Sequence, residues 1–229
     1  MSEWPIAIIT GASRGIGRAI ALRLADRHAI VAAARSREHL ESLAGEIRDR
    51  GGRCTPVVLD LRDPDAIGRA FGGIAADVLV NNAGIVTLKP FLEMTSGEWH
   101  EMIDVNLNAI HHATRAVLPG MVQRRRGHVM MIGSIAGRSA FVGGTGYGAT
   151  KHALIGLSES LYLEVRESGV KVSLVMPGSV ATEVFADGRD TSWMLKPEDV
   201  AETVAHVLGT PDNVLVHRVE IRATTPRKK

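Results

Sequence analysis

Thr10-Gly11-Ala12-Ser13-Arg14-Gly15-Ile16-Gly17 follows directly on the apolar run Ile6-Ala7-Ile8-Ile9 and opens a segment carrying Ile16, Ile20 and Leu24 at i, i+4 and i+8. The run reads as a buried strand, and the stripe after it as a helix packed by one face. Between them, glycine lets the backbone turn sharply and come close to another group, because no Cβ stands in the way. The helix then presents free N–H groups and the positive end of its dipole to whatever lies in front of it. Strand, turn and helix together predict a seat for the pyrophosphate of a dinucleotide, built by Gly11, Ser13, Arg14, Gly15, Ile16 and Gly17. The spacing is Gly-x-x-x-Gly-x-Gly, not the better-known Gly-x-Gly-x-x-Gly. The place of the turn, at the first strand-to-helix junction of the chain, therefore carries the inference.

Outward from this turn the same alternation continues. Apolar, Val- and Ile-rich runs at residues 6–10, 29–34, 54–59, 78–81, 128–133, 170–175 and 215–221 predict strands. Most lack the polar alternation of half-exposed strands and read as strands buried on both faces of a parallel sheet. Helices are predicted at residues 16–27, through Leu40, Leu43 and Ile47 up to Gly51-Gly52, and at 63–71. A long one starts at the capping-box pattern Thr95-Ser96-Gly97-Glu98 and runs past Asn106 toward Arg124, bent near Pro119. The last two cover residues 147–168 and follow Lys196-Pro197. The expected fold is α/β: one Rossmann-type, doubly wound sheet of seven mostly parallel strands with helices on both faces. It spans residues 1–229 as one domain, with 222–229 a flexible tail and the last strand at an edge.

Composition narrows the class. The 229 residues are 45% hydrophobic and 23% charged with a net charge of +2, which suits an ordinary globular protein and gives little reason to expect a polyanion partner. The basic clusters Arg124-Arg125-Arg126 and Arg227-Lys228-Lys229 read as a helix C-terminus and a solvated tail. With no recognition motif beside them, nucleic acid is not expected. The single cysteine, Cys54, excludes a disulfide within the chain and reads as a small buried hydrophobe. No apolar stretch reaches membrane-helix length, and the first strand begins too early for a signal peptide, so the expected location is the cytoplasm.

The second strand indicates which dinucleotide. An NAD site commonly has an acidic residue at this strand's end to bond the adenosine ribose. Here the strand ends Ala33-Ala34-Arg35-Ser36. A guanidinium is a planar fork of donors suited to a phosphate. Arg35 and Arg14 together predict a 2′-phosphate between them, hence NADP(H).

The chemistry is sought in Tyr147-Gly148-Ala149-Thr150-Lys151. On a helix, i and i+4 share a face, so phenol and ammonium converge. A nearby cation lowers a phenol's pKa, which would make Tyr147 a workable acid and base toward a carbonyl oxygen. Ser134 directly follows the fifth strand, and Asn81-Asn82-Ala83-Gly84 ends the fourth; ligands bind outside these carboxyl ends. Asn106 lies inside the long helix, where asparagine is a poor helix former.

With these residues in chain order, the sequence resembles the short-chain dehydrogenases/reductases over nearly its whole length. The resemblance rests on the glycine turn, Asp60, Asn81-Asn82-Ala83-Gly84, Asn106, Ser134, Tyr147 with Lys151, and Pro177-Gly178-Ser179-Val180-Ala181-Thr182. It implies Tyr147 as general acid/base, and Lys151 lowering its pKa and holding the nicotinamide ribose. Ser134 would orient the substrate oxygen, and Asn106 would position a relay water. It further implies Asp60 and Leu61 at the adenine, Asn82, Ala83 and Gly84 along the adenosine side, and Pro177, Gly178, Val180 and Thr182 toward the carboxamide. The implied activity is hydride transfer between NADP(H) and a secondary alcohol or ketone, by a homodimer or homotetramer paired through the fourth and fifth helices. The stretch Leu195-Lys196-Pro197-Glu198-Asp199-Val200-Ala201-Glu202 resembles members acting on small hydroxy acids or on miscellaneous alcohols and carbonyls. The chain departs from the family in a short segment, residues 179–195, where a substrate lid usually forms.

Two rivals stand beside this reading. A 3-oxoacyl-carrier-protein reductase would dock an acidic protein near Arg124, Arg125 and Arg126. A nucleotide-sensing protein would keep the fold without the chemistry, but it would not need Asn106, Ser134, Tyr147 and Lys151. His111-His112 point in different directions on a helix and predict no metal site. No Gly-x-Ser-x-Gly elbow surrounds Ser134, so no hydrolase is expected. Phe141, Phe185, Trp193 and Met194 are candidates for the substrate pocket, the core or a subunit interface.

Overall fold

The computed structural model describes residues 4–183 and 190–225. Seven strands form one sheet: β1 (Ile6–Thr10), β2 (Ala29–Ala34), β3 (Arg53–Val58), β4 (Val78–Asn81), β5 (Gly127–Ile132), β6 (Val170–Pro177) and β7 (Arg218–Ile221). Every neighbouring pair is parallel, in the order β3-β2-β1-β4-β5-β6-β7. Successive residues of β1 face opposite layers. Ile9 packs on one side with Ile20, Leu40, Ile47 and Val204, and Ile8 on the other with Ile67, Phe71, Val117 and Leu154. That is the physical meaning of the unbroken apolar runs: both faces of the central strands are covered. β3 is an edge strand, and it tolerates Pro56 there because one of its two sides needs no donor.

The helices are α1 (Gly15–Leu24), α2 (Arg37–Asp49), α3 (Pro64–Phe71), α4 (Ser96–Ile103), α5 (Ala109–Arg124), α6 (Thr145–Val165) and α7 (Pro197–Leu208). The long helix expected from Thr95 to Arg124 is divided. α4 starts on the Thr95–Glu98 capping box, and a π-helical turn at Asp104–Asn108 separates it from α5. The interruption is centred on Asn106, not on Pro119, which sits inside α5. Asn106 carries the cause: its buried amide is fully engaged with neighbouring segments, and an extra residue per turn aims it there. The last strand is shorter than expected. Residues 215–217 lie outside the strand, with Val216 O taken by the Ser173 hydroxyl at 2.6 Å.

The chain runs outward from β1 through β2 to β3, then returns to β4 on the other side of β1. This reversal opens a crevice at the carboxyl ends of β1 and β4, the place where such sheets bind ligands. No helix among the described residues is long and apolar enough to cross a membrane.

Candidate active site

Thr10 builds the floor of the crevice. Its hydroxyl donates to Val80 O at 3.3 Å and accepts the N–H groups of Asn82 and Ala83 at 3.0 and 3.1 Å. Asn82 answers from β4, its amide nitrogen donating to Thr10 O at 2.9 Å. The glycine turn thus lies directly against the end of β4. Gly11, at φ +67°, has no room for a side chain, because a Cβ would stand 2.8 Å from the Ala83 Cα. On Gly17 a Cβ would come within 2.3 Å of Gly11 O.

Ser36, Asp63 and Thr95 cap the first N–H groups of α2, α3 and α4 with their side chains. Arg14, at the head of α1, offers no such cap, and the first turn of α1 has no acidic residue. Those N–H groups face the crevice with their positive end uncompensated, which fits an anionic phosphate. Arg14 and Arg35 are exposed beside it, and both line the cleft. Asp60 lines it too, held by Arg62 through three guanidinium contacts and kept below the usual carboxylate range first by that pairing. Residues of this chain therefore suit a dinucleotide carrying an extra phosphate.

The cleft continues for about 870 Å³, from the glycine turn to Ser134 and Tyr147. Every residue predicted for the cofactor, from Gly11 to Thr182, borders this one space. Ser134 lies two residues past the end of β5 in extended conformation, its Oγ accepting the Ala136 N–H at 3.1 Å. The short turn it begins lies on α6. A Cβ on Gly137 would stand 2.6 Å from Lys151 O, so glycine there lets the serine reach the helix that carries the tyrosine.

Lys151 is 5% exposed, and burial lowers its ammonium to about 8. Its Nζ donates to Ile132 O at 3.0 Å and lies 5.7 Å from the centre of the Tyr147 ring. The expectation is that this cation depresses the phenol, but burial governs it. Burial holds Tyr147 above its ordinary value, and the hydrogen bond with Ser134 acts the other way. The phenol is therefore held protonated in this arrangement.

Asn106 does not line the cleft; it lies fully buried behind it. Its Oδ1 accepts the Ile85 N–H at 2.8 Å, and its Nδ2 donates to Ile85 O and to the Thr150 hydroxyl at 2.9 and 3.2 Å. Thr150 in turn donates to Tyr147 O at 2.8 Å. The amide thus joins the loop after β4 to the first turns of α6. Gly137 and Thr150 were not singled out by the sequence. Thr150 lies inside the Tyr147–Lys151 spacing, but its partner is 44 residues away. Ser36, His39, Val86, Leu88 and Ile135 also border the cleft without having been expected there.

Of the pocket candidates, Phe141 lines the cleft, Trp193 and Met194 do not, and Phe185 lies outside the described residues. Arg124, Arg125 and Arg126 sit at the other end of the sheet, before β5. Arg124 donates to Ala76 O, Arg125 to Glu167 O, and Arg126 pairs with Asp77. The docking expected of them thus meets side chains committed within the chain. Cys54 is only half-buried, and burial raises its thiol to about 11. Among the described residues no group of three or more His, Cys, Asp or Glu could hold a metal ion.

Comparison with known proteins agrees with this geometry. The short chain dehydrogenase family profile matches residues 5–193. The NADP-dependent 3-hydroxy acid dehydrogenase YdfG of Salmonella typhi is 35% identical, over 96% of this chain and 95% of its own. Oxidoreductase UcpA of Escherichia coli is 38% identical over 88% of this chain and 79% of its own. A metagenomic short-chain oxidoreductase solved in complex with NADP superposes with a TM-score of 0.87 at 36% identity, covering 98% of this chain and 99% of that one. The chain belongs to the short-chain dehydrogenase family.

Proposed function

We propose that the protein is an NADP(H)-dependent oxidoreductase interconverting a secondary alcohol and its ketone, with Tyr147 as general acid and base. One observation carries this: Ser134 and Tyr147 meet over the buried Lys151 at one end of a cleft whose other end is the uncapped head of α1 beside Arg14 and Arg35. NADP(H), when bound, supplies or accepts the hydride. Arg14 and Arg35 select it over NAD(H) by pairing with its extra phosphate. Ser134 donates to the substrate oxygen and fixes its direction. Tyr147 gives its proton to that oxygen as negative charge develops on it, and recovers the proton in the reverse direction. Lys151 places positive charge under the ring while Tyr147 is deprotonated, and Asn106 acts as a positioning residue through Ile85 and Thr150. A pure nucleotide sensor would have no use for these paired donors. The homodimer or homotetramer belongs to the same proposal. The exposed Leu163 on α6 and Val122 on α5 support helix-to-helix pairing, and light scattering of the purified chain reads it directly.

The test is NADPH oxidation with a panel of ketones, oxo acids and 3-oxoacyl thioesters, with NADH as control. Turnover is expected with NADPH and far less with NADH. Tyr147→Phe should lose on the order of 10²–10⁴-fold in kcat while still binding NADPH. NADPH binding without turnover of any compound refutes the enzyme reading.

A further inference from the structure

At the Ser134–Tyr147 end the cleft changes character. Its lining includes Val86 and Leu88 from the loop after β4, and Ile135 and Phe141 from the loop after β5 that leads to Tyr147. Leu88 and Phe141 are 48% and 45% exposed, so apolar surface faces open space beside the proton donor. These loops are not loosely placed. Lys89 N–H donates to Gly143 O at 3.0 Å, tying one loop to the other. The Phe141 ring rests on Gly144, where a Cβ would stand 2.5 Å from its Cζ.

Charge on the same loops is directed elsewhere. The Lys89 ammonium pairs with Glu98 at 2.5 Å and the Arg138 guanidinium with Glu220 at 2.6 Å, and neither borders the cleft. Among the described residues, the arginines and lysines that line it are Arg14 and Arg35 at the far end, and Lys151, whose Nζ already donates to Ile132 O. A carboxylate one carbon from the reacting centre would be desolvated against Leu88 and Phe141, with no free cation among the described residues to meet it. An alkyl group in that place buries apolar surface on both partners.

We propose that the substrates are uncharged ketones and secondary alcohols bearing an apolar chain or branch beside the reacting carbon, and that small hydroxy and oxo acids are poor substrates. The inference rests on the oxidoreductase reading above and departs from the activity named for the Salmonella relative. The experiment measures kcat/KM of the full chain with saturating NADPH. It uses 2-butanone, 2-hexanone and 2-octanone, and the pair acetoacetate and 4-methyl-2-pentanone, which share one heavy-atom skeleton and differ in charge. The expected result is a rise of roughly threefold per added methylene until the apolar wall is covered. Across the matched pair, 4-methyl-2-pentanone should lead by on the order of tenfold. Leu88→Ala and Phe141→Ala should each lower the ratio of 2-octanone to 2-butanone. Leu88→Arg, a change at a half-exposed position, should move the matched pair toward acetoacetate. A flat chain-length series, or acetoacetate equal to or above its neutral partner, overturns the inference while leaving the oxidoreductase reading intact, since turnover has then been seen. No turnover with any compound removes both.

Discussion

The residues proposed to carry the chemistry are recognisable by type, but their energetics are set by what covers them. Tyr147 and Lys151 stand at the helical spacing their sequence announces, yet burial moves both pKa values toward neutrality of the side chain. His128 shows the same effect on stability. Its Nε2 lies 2.8 Å from the Ser173 hydroxyl inside the sheet. Burial first, and then the Lys171 cation, lower its pKa from 6.5 to about 4. A histidine whose folded value is depressed contributes stability that is present above its unfolded pKa and lost as pH falls toward the folded one. Unfolding by urea should therefore show stability falling between pH 6.5 and 4, by up to about 3 kcal/mol from this group. His128→Gln should flatten the pH dependence in that window, and an unchanged slope would assign the acid sensitivity to other groups. Nothing in the run around His128 distinguishes it in sequence from a surface histidine; the strand's two covered faces do.

At the scale of elements, each strand and each major helix was legible, because apolar periodicity reports which faces are buried. The division of the long helix at Asp104–Asn108 was not. A π-helical turn depends on where the Asn106 amide finds partners, and Ile85 and Thr150 lie 21 and 44 residues away. The turn between β1 and α1 is the element with least tolerance. Gly17→Ala places a Cβ 2.3 Å from Gly11 O and 2.4 Å from the Asn82 amide nitrogen. It should destabilise the fold by about 1–3 kcal/mol and abolish NADPH binding, as read by urea unfolding and a fluorescence titration. Gly45→Ala is the counterpart within α2, where a Cβ meets nothing within 4 Å. It should stabilise by roughly 0.5–1 kcal/mol through helix propensity, with binding unaltered. Equal effects from the two substitutions would refute the packing account of the turn.

The whole molecule joins residues distant in sequence around one crevice, so a dinucleotide spanning it should stabilise the fold as a unit. NADPH at 100 times its Kd should add about 2.7 kcal/mol, a rise of ~5–10 °C in Tm for a chain of this size. NADH at the same concentration should give less, and Arg35→Ser should bring the two shifts together. Equal shifts in the unaltered protein would deny Arg14 and Arg35 their role. By itself the sequence determined the α/β class, the parallel sheet, the glycine turn and the residues gathered along one cleft, because these depend on local spacing, apolar period and the needs of the backbone. Tertiary structure decided what spacing does not encode. It buried Asn106 behind the cleft, let burial outweigh the Ser134 hydrogen bond in setting the Tyr147 phenol, and directed Arg124, Arg125 and Arg126 to partners in their own chain. It also set Leu88 and Phe141, from two separate loops, along the same cleft as Tyr147. Desolvation and partner choice depend on which distant groups the fold brings within a few ångströms, and that is a property of the packed chain.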